Sequence, residues 1–170
     1  MSMLKLVDLF VTYGDSPYAE LAVFLDFLRT LQFLHQQHHW QVSGNDSYGD
    51  HLLLQRLYET VALEIDKVGE KTVSMAGAGL VDSRHSLENM NKFLNALQEG
   101  SDISQDENLA LSKIKKSLLA ERSFLTAGEK LMTMLQSKNQ LSRGIENLLG
   151  GILDMHETHV FLLSQRAKVT

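Results

Sequence analysis

The chain has 170 residues, 44% of them hydrophobic, which is enough for a single domain with a continuous core. It contains no cysteine, so disulfide frameworks and thiolate metal sites are excluded, and any metal ion must be held by His, Asp or Glu. The net charge of −5 disfavours binding to nucleic acid, and no apolar run approaches the roughly 20 residues that span a bilayer. The start of the chain also lacks the basic residues and cleavage site of a signal peptide, so we expect a cytoplasmic protein in which residues 1–170 form one domain.

The first half of the chain predicts an antiparallel pair of long helices. Proline occurs only at Pro17, and the long segments without Gly or Pro have an apolar period of about 3.6 residues, which indicates an all-α fold. We predict that the first long helix begins with Ser16 as its N-cap, followed by Pro17, and ends near Gly44. Asp50 is then predicted to cap a second helix that runs to about Ser74. Because the connection is short, the two helices should be antiparallel.

The second half predicts a short helix followed by another long pair. Apolar residues at helical spacing before Gly100 predict a short amphipathic helix: Leu87, Met90, Phe93, Leu94 and Leu97. Ser104 and Glu107 form a capping-box pattern that predicts the start of the third long helix, and a break at residues 137–140 separates it from the fourth. Four long helices with a long connection between the second and third are typical of a ferritin-like four-helix bundle, although cytokine bundles also use crossover connections.

The second helix has a polar face beside its apolar face. At about 100° per residue, one arc contains His51, Gln55, Glu59, Ala62, Asp66, Gly69 and Glu70. His51 and Asp66 lie about 22 Å apart along the helix, so one copy cannot bring them to the same ion. Two copies packed antiparallel about a two-fold axis near residues 60 and 61 would place His51 opposite Glu70 and Gln55 opposite Asp66. Ala62, close to this axis, would permit a close approach.

A histidine of the first helix extends this polar face into a possible metal site. His39 is predicted to point inward, and it lies about as far before the connection as His51 lies after it. Both histidines should therefore lie at the same level along the axis of the helix pair. The predicted site contains these two histidines from one subunit and Asp66 and Glu70 from another. Such donors with open positions suit Fe(II) and would also accept Zn(II) or Mn(II). Taken singly, each residue is better explained as a core histidine or as part of a solvated helix edge, but the joint geometry reverses that preference and favours a metal site.

The segments that carry this site resemble the Dps family of mini-ferritins, the DNA-binding proteins from starved cells. The matching segments are His39-Trp40-Gln41-Val42-Ser43-Gly44, then His51, then Asp66-Lys67-Val68-Gly69-Glu70. The resemblance implies a cage of twelve subunits built from two-fold dimers, with ferroxidase centres at the two-fold interfaces and an iron oxide core inside. It implies His39, His51, Asp66 and Glu70 as the iron ligands, and Trp40 as a neighbour that packs beside the site. In that family hydrogen peroxide is usually the preferred oxidant, so the expected role is iron storage and protection against oxidative stress.

Two positions depart from the family pattern. Gln55 stands where the family usually has an acidic residue, and an amide is a weaker ligand for a hard cation, so the second metal position should bind iron less well. The N-terminus, residues 1–8, lacks the lysine-rich tail of members that bind DNA, so strong DNA binding is not expected. Two alternatives to a ferroxidase stay open: a protein that coats DNA, and a structural shell whose site holds zinc or no metal.

Four other histidines are interpreted as structural. His156 and His159 lie about one turn apart in the last helix, but no carboxylate precedes either by three residues, so the E-x-x-H pattern of ferritin-like metal sites is missing. His35 and His38 are likewise predicted to be packing or interface residues.

Overall fold

The computed structural model of the protein describes residues 13–45, 47–99 and 109–168. Within these ranges five α-helices follow one another, here named α1 (Ala19–Gln41), α2 (Ser47–Ala76), α3 (Ser83–Glu99), α4 (Leu109–Ser137) and α5 (Arg143–Ala167). A short 3-10 turn, Ala78–Leu80, precedes α3. The four long helices form a bundle with α3 as the extra short helix, which confirms the predicted all-α, ferritin-like fold class. None of the helices in these ranges combines the length and apolar character needed to cross a bilayer.

The first helix is the centre of the bundle. It packs most extensively against α2, then against α4, and it also contacts α3. Its buried face includes Phe24, whose ring lies 5.1 Å from the ring of Phe124 in α4. Phe27 packs against Phe93 of α3 at 3.9 Å between ring centroids. These aromatic contacts explain why α1 is buried along most of its length.

The short helix α3 is held to α1 by buried polar contacts as well as by packing. Asn89 donates a hydrogen bond to the Asp26 carboxylate at 2.9 Å, and the hydroxyl of Tyr13 donates to the same carboxylate. Arg29 donates to the hydroxyl of Ser86 at 2.5 Å. Because the buried Asp26 carboxylate is paired in this way, its burial does not leave an unsatisfied charge.

The predicted start of the first helix is wrong by two residues. The N-cap is Tyr18, in a left-handed conformation with φ of 62°, and no side chain caps the helix. Ser16 instead forms the turn that precedes it, since its carbonyl accepts a hydrogen bond from the backbone amide of Ala19. A tertiary contact fixes the start, because the Tyr18 amide donates to the side chain of Gln140 in the loop between α4 and α5.

The prediction of Asp50 as an N-cap is also wrong. The second helix already begins at Ser47, and the buried Asp50 carboxylate accepts two hydrogen bonds from Arg166 near the end of α5, at 2.6 and 3.0 Å. Other predicted boundaries are confirmed: α1 ends at Gln41, close to the predicted stop, and the predicted break at residues 137–140 falls between the end of α4 at Ser137 and the start of α5 at Arg143. The structure adds a cap that was not predicted, since Ser142 accepts a hydrogen bond from the amide of Ile145. The predicted capping box at Ser104 and Glu107 lies outside the described residues.

Replacing Asp50 with asparagine should lower the free energy of unfolding by about 1 to 3 kcal/mol, because the variant loses a charged, bidentate hydrogen bond acceptor at a buried position. Urea denaturation at fixed protein concentration measures the change. The matched control is Glu146→Gln, which removes an exposed partner of Arg143 and should cost less than about 0.5 kcal/mol. Equal effects of the two variants would contradict a structural role for the Asp50 pair.

Candidate metal centres

The two histidines predicted as ligands meet at the start of α2. The rings of His39 and His51 are stacked with centroids 3.5 Å apart. Nδ1 of His39 donates to the backbone carbonyl of His51 at 2.9 Å, and Nδ1 of His51 donates to the carbonyl of His39 at the same distance. A carbonyl oxygen can only accept, so Nδ1 carries the hydrogen in both rings and Nε2 keeps its lone pair. Metal-binding histidines are commonly oriented by such a bond from the other ring nitrogen.

The acidic residues of the predicted site lie farther along the same helix. Asp66 and Glu70 are exposed in the single chain, as is the side chain of His51. The helical rise separates His51 from Asp66 by about 22 Å, so the structure does not bring the acids and the imidazoles together within one chain. Gln55, the weak candidate ligand, donates a hydrogen bond to the carboxylate of Glu59 at 2.8 Å.

The face of α2 between the histidines and the acids carries exposed apolar side chains. Leu52 is 47% exposed and Leu63 is 67% exposed, and both line a shallow groove with Gln55, Arg56, Glu59 and Thr60. Trp40, predicted as a neighbour of the site, is 62% exposed at the end of α1. A large apolar side chain in isolation on a surface is ordinary, but several on one helix face are typical of a surface that is covered by another protein.

A second group of histidines and carboxylates lies in the interior of the bundle. Its central residues are Glu121 of α4 and His156 and His159 of α5, all fully buried, and each offers one ligand atom within 4.8 Å of those of the other two. Glu64 of α2 and His35 of α1 border the group, so all four long helices contribute to it. We refer to these five residues as the core cluster.

The core cluster is connected by hydrogen bonds whose directions can be assigned. Glu121 accepts from Nε2 of His35 at 2.8 Å, from Nδ1 of His156 at 2.5 Å and from Nδ1 of His159 at 3.2 Å. The other ring nitrogen of His156 donates to Glu64 at 2.9 Å, so this imidazole lies between two carboxylates. Both of its nitrogens therefore carry hydrogen, and the ring is an imidazolium in this arrangement.

A serine extends the network towards the end of α1. Because His35 donates to Glu121 through Nε2, its Nδ1 accepts from the hydroxyl of Ser117 at 3.1 Å. The Ser117 oxygen in turn accepts from Nδ1 of His38 at 2.8 Å. The bonds thus run in one direction, from His38 through Ser117 and His35 to the Glu121 carboxylate.

Burial and pairing act against each other on the ionisable groups of the cluster. Burial raises the pKa of Glu121, but the charge of His156 and the hydrogen bonds from three histidines outweigh it and hold the pKa well below its usual range. Burial lowers the pKa of His156, yet the carboxylates of Glu121 and Glu64 raise it to about 9. For His35 burial prevails and lowers its pKa, and burial also lowers the pKa of His38 to about 3.

The core cluster forms a polar layer between two apolar clusters of the interior. Along α4, Glu121 lies between Leu118 of one apolar cluster and Phe124 of another. Along α5, the two histidines lie between Leu153 and Leu163, which belong to the same two clusters. The ring of Phe124 packs against His156 at 4.3 Å between centroids. Two buried carboxylates in such a layer carry a cost of desolvation that a wholly apolar core would avoid.

Sequence reasoning did not find this cluster because its carboxylates come from other helices than its paired histidines. The E-x-x-H pattern requires the acid and the histidine on the same helix, whereas the acids that contact His156 in α5 lie in α2 and α4. A signal was present in the apolar spacing. Glu64 follows Leu57 by seven residues and Val61 by three, and Glu121 follows Leu118 by three, so both acids occupy positions of the core stripe.

Comparison with known proteins supports the fold. No family model matches the chain, and no curated protein matches its sequence. A solved structure, a phenylalanine-to-glutamate mutant of Dps1 from Mycobacterium smegmatis, is similar with a TM-score of 0.66 at 16% identity, covering 99% of this chain and 100% of that one. The described residues therefore have a Dps-like ferritin fold. At 16% identity the similarity supports a shared fold only, and any activity must be argued from the residues of this chain.

Proposed function

We propose that the protein is the subunit of a mini-ferritin cage that oxidises Fe(II) at sites shared between two subunits and stores Fe(III) inside. The observation that carries this proposal is the reciprocal pair of hydrogen bonds through Nδ1 of His39 and of His51, which leaves the Nε2 lone pair of each neutral ring available in two stacked imidazoles, of which His51 is exposed. In the described part of the chain neither Nε2 has a hydrogen bond partner. Two such nitrogens are suitable ligands for Fe(II) once carboxylates complete the site.

The missing carboxylates come from a second copy of the chain. In the proposed dimer two α2 helices pack antiparallel about a two-fold axis near residues 60 and 61, so that Asp66 and Glu70 of one subunit approach His51 of the other. The exposed side chains of Leu52 and Leu63 support this arrangement because the contact would remove them from water. Trp40, exposed in the single chain, would be covered beside the site. A two-fold dimer forms two equivalent sites.

The proposed reaction is the one-electron oxidation of each Fe(II) ion bound between these ligands. One hydrogen peroxide molecule accepts two electrons, from two Fe(II) ions, and is reduced to water with uptake of protons. The imidazoles and carboxylates hold the substrate iron and favour the more highly charged product. The resulting Fe(III) leaves the site and is stored in the interior of a twelve-subunit cage, so both peroxide and free Fe(II) are removed from the cytoplasm.

Two measurements test the proposal. Gel filtration with light scattering should give a particle of about twelve times the subunit mass of 19.1 kDa. Fe(II) added anaerobically to that particle, followed by peroxide, should give rapid growth of Fe(III) absorbance and an iron core that co-elutes with the protein. A monomeric protein, or oxidation no faster than in buffer, would contradict the proposal.

The Gln55→Glu variant should gain a second, tighter iron position at each site, because a carboxylate replaces a neutral amide opposite Asp66 of the other subunit. The expected result is a rise from about one to about two tightly bound Fe(II) ions per site, measured by anaerobic equilibrium dialysis. The new carboxylate also faces Glu59, to which Gln55 now donates a hydrogen bond, so the metal-free variant should be slightly less stable. An unchanged number of tightly bound Fe(II) ions per site would mean that residue 55 is not part of the metal site.

A cage whose interface sites hold zinc or manganese without oxidation is the second candidate, and Gln55 is the observation that favours it. A neutral ligand at the second position would leave one metal held tightly, which is sufficient for structural zinc. This alternative would be supported if bound zinc is not displaced by added Fe(II) and the protein does not accelerate the oxidation of Fe(II) by peroxide.

A further inference from the structure

We propose that Glu121, His156 and His159 form a second metal site, enclosed within the four-helix bundle of a single chain, that binds a divalent transition metal. Their ligand atoms already lie within 4.8 Å of one another. Donors about 2.1 Å from a common ion lie about 3 to 4 Å apart, so only a small approach of the side chains is needed. Unlike the interface site, this one is complete without a partner subunit.

An unsatisfied nitrogen indicates that the core cluster is not closed by its own hydrogen bonds. His159 donates from Nδ1 to Glu121, which leaves its Nε2 unprotonated. This Nε2 is fully buried and has no hydrogen bond partner among the described residues. A buried polar atom without a partner is costly, and a network that existed only to stabilise the fold would be expected to satisfy it.

The donor set favours an ion of the Fe(II) or Zn(II) type over calcium or magnesium. Two imidazoles with one carboxylate are the ligands of many mononuclear Fe(II) sites, and imidazole also suits Zn(II), whereas calcium and magnesium prefer oxygen ligands throughout. The neighbours of the three ligands are suited to orient them. His35 donates to the Glu121 carboxylate, and Glu64 contacts the other ring nitrogen of His156. Metal binding would displace the proton from Nδ1 of His156, which carries hydrogen on both ring nitrogens in the metal-free cluster, and the two buried carboxylates would then balance the two charges of the ion.

The test first removes metal binding at the interface site, so that metal binding at the core cluster can be measured alone. The background variant His51→Ala with Asp66→Asn removes exposed ligands of the proposed interface site and should not disturb the bundle core. Co(II) serves as the probe, because its visible absorption reports its ligands directly. We expect the background to bind about one Co(II) per subunit and to unfold at a temperature several degrees higher when Co(II) is present.

Glu121→Gln and His159→Gln, each added to this background, should weaken Co(II) binding by about 100-fold and abolish the thermal shift. The control is Glu20→Gln, a substitution of the same kind at another fully buried carboxylate, which contacts Lys138 and lies outside the cluster. It should leave Co(II) binding unchanged. If the Glu121→Gln variant does not fold, the Co(II) affinity of the His159→Gln variant tests the proposal instead.

Two results would overturn the proposal: a folded background that binds no Co(II), or cluster variants that bind it as well as the background does. Neither depends on iron oxidation at the interface. If instead the unmodified cage shows no ferroxidase activity but the background still binds Co(II) through Glu121 and His159, the proposed function fails while the second site stands.

Discussion

Alanine at His51 or at Asp66 is expected to slow peroxide-driven oxidation of Fe(II) by at least about 100-fold, because each variant removes a proposed ligand from every proposed interface site. Both side chains are exposed in the single chain, so the substitutions should leave the bundle folded and assembled. The measurement is the initial rate of Fe(III) absorbance after peroxide is added to anaerobically loaded protein. Lys67→Ala, a change at an exposed neighbour on the same helix, is the control and should retain the full rate.

Mixing the two inactive variants tests whether the ligands come from different chains. A dimer with one His51→Ala subunit and one Asp66→Ala subunit has one site that lacks both ligands and one that is intact. If unfolded subunits are mixed in equal amounts and reassembled, about half of the dimers are mixed, so roughly a quarter of the original activity should return. No recovery in correctly assembled cages would mean that His51 and Asp66 do not act together across the interface.

The second large effect concerns the dependence of stability on pH. His156 has a pKa of about 9 in the folded protein and an ordinary value near 6.5 when unfolded. Between these values the folded state binds more protons, so the stabilisation is complete below pH about 6.5 and is lost as the pH rises towards 9. The loss should be on the order of 3 kcal/mol, since each pKa unit corresponds to about 1.4 kcal/mol.

Below pH about 6.5 the free energy of unfolding should change in the opposite direction and fall as the pH falls. Burial lowers the pKa of His38 to about 3, so the folded state resists its protonation and stability falls as the pH drops below about 6.5. The lowered pKa of Glu121 adds a further loss at still lower pH. Together these groups place the maximum of stability near pH 6.5.

Urea denaturation at fixed protein concentration, with a chelator present, measures this profile. In His156→Gln the decline between pH 6.5 and 9 should disappear, while the loss on the acid side remains. A wild-type protein that is equally stable at pH 6.5 and 9 would contradict the arrangement of His156 between two carboxylates.

Helical periodicity was sufficient to predict the bundle. The apolar spacing places the long helices and the short α3 correctly, and the symmetric positions of His39 and His51 about the connecting loop predict that they lie at the same level, where the structure shows their rings stacked. Both features depend on residues that are close in the sequence, within one helix or across one short loop. The capping predictions at Ser16 and Asp50 were wrong because contacts from distant residues, Gln140 and Arg166, decide the conformation and the pairing there.

The core cluster could not be deduced from local pattern for the same physical reason. His156 owes its two carboxylate partners to the packing of α5 against α2 and α4, and their sequence separations are 92 and 35 residues. Periodicity shows that Glu64 and Glu121 occupy core positions, but it does not show which helices face each other. Only the packed structure establishes that the acids and the imidazoles share one layer.

The meeting of two α2 helices is tested most directly by disulfide crosslinking, since the chain has no cysteine of its own. Residues 55 and 66 lie about 16 Å apart along one helix, so a disulfide between them can only join two chains. The double variant Gln55→Cys with Asp66→Cys should form a covalent dimer under mild oxidation, whereas each single variant should stay monomeric on a non-reducing denaturing gel. An assembled double variant that yields no covalent dimer would contradict the antiparallel interface on which the shared iron site depends.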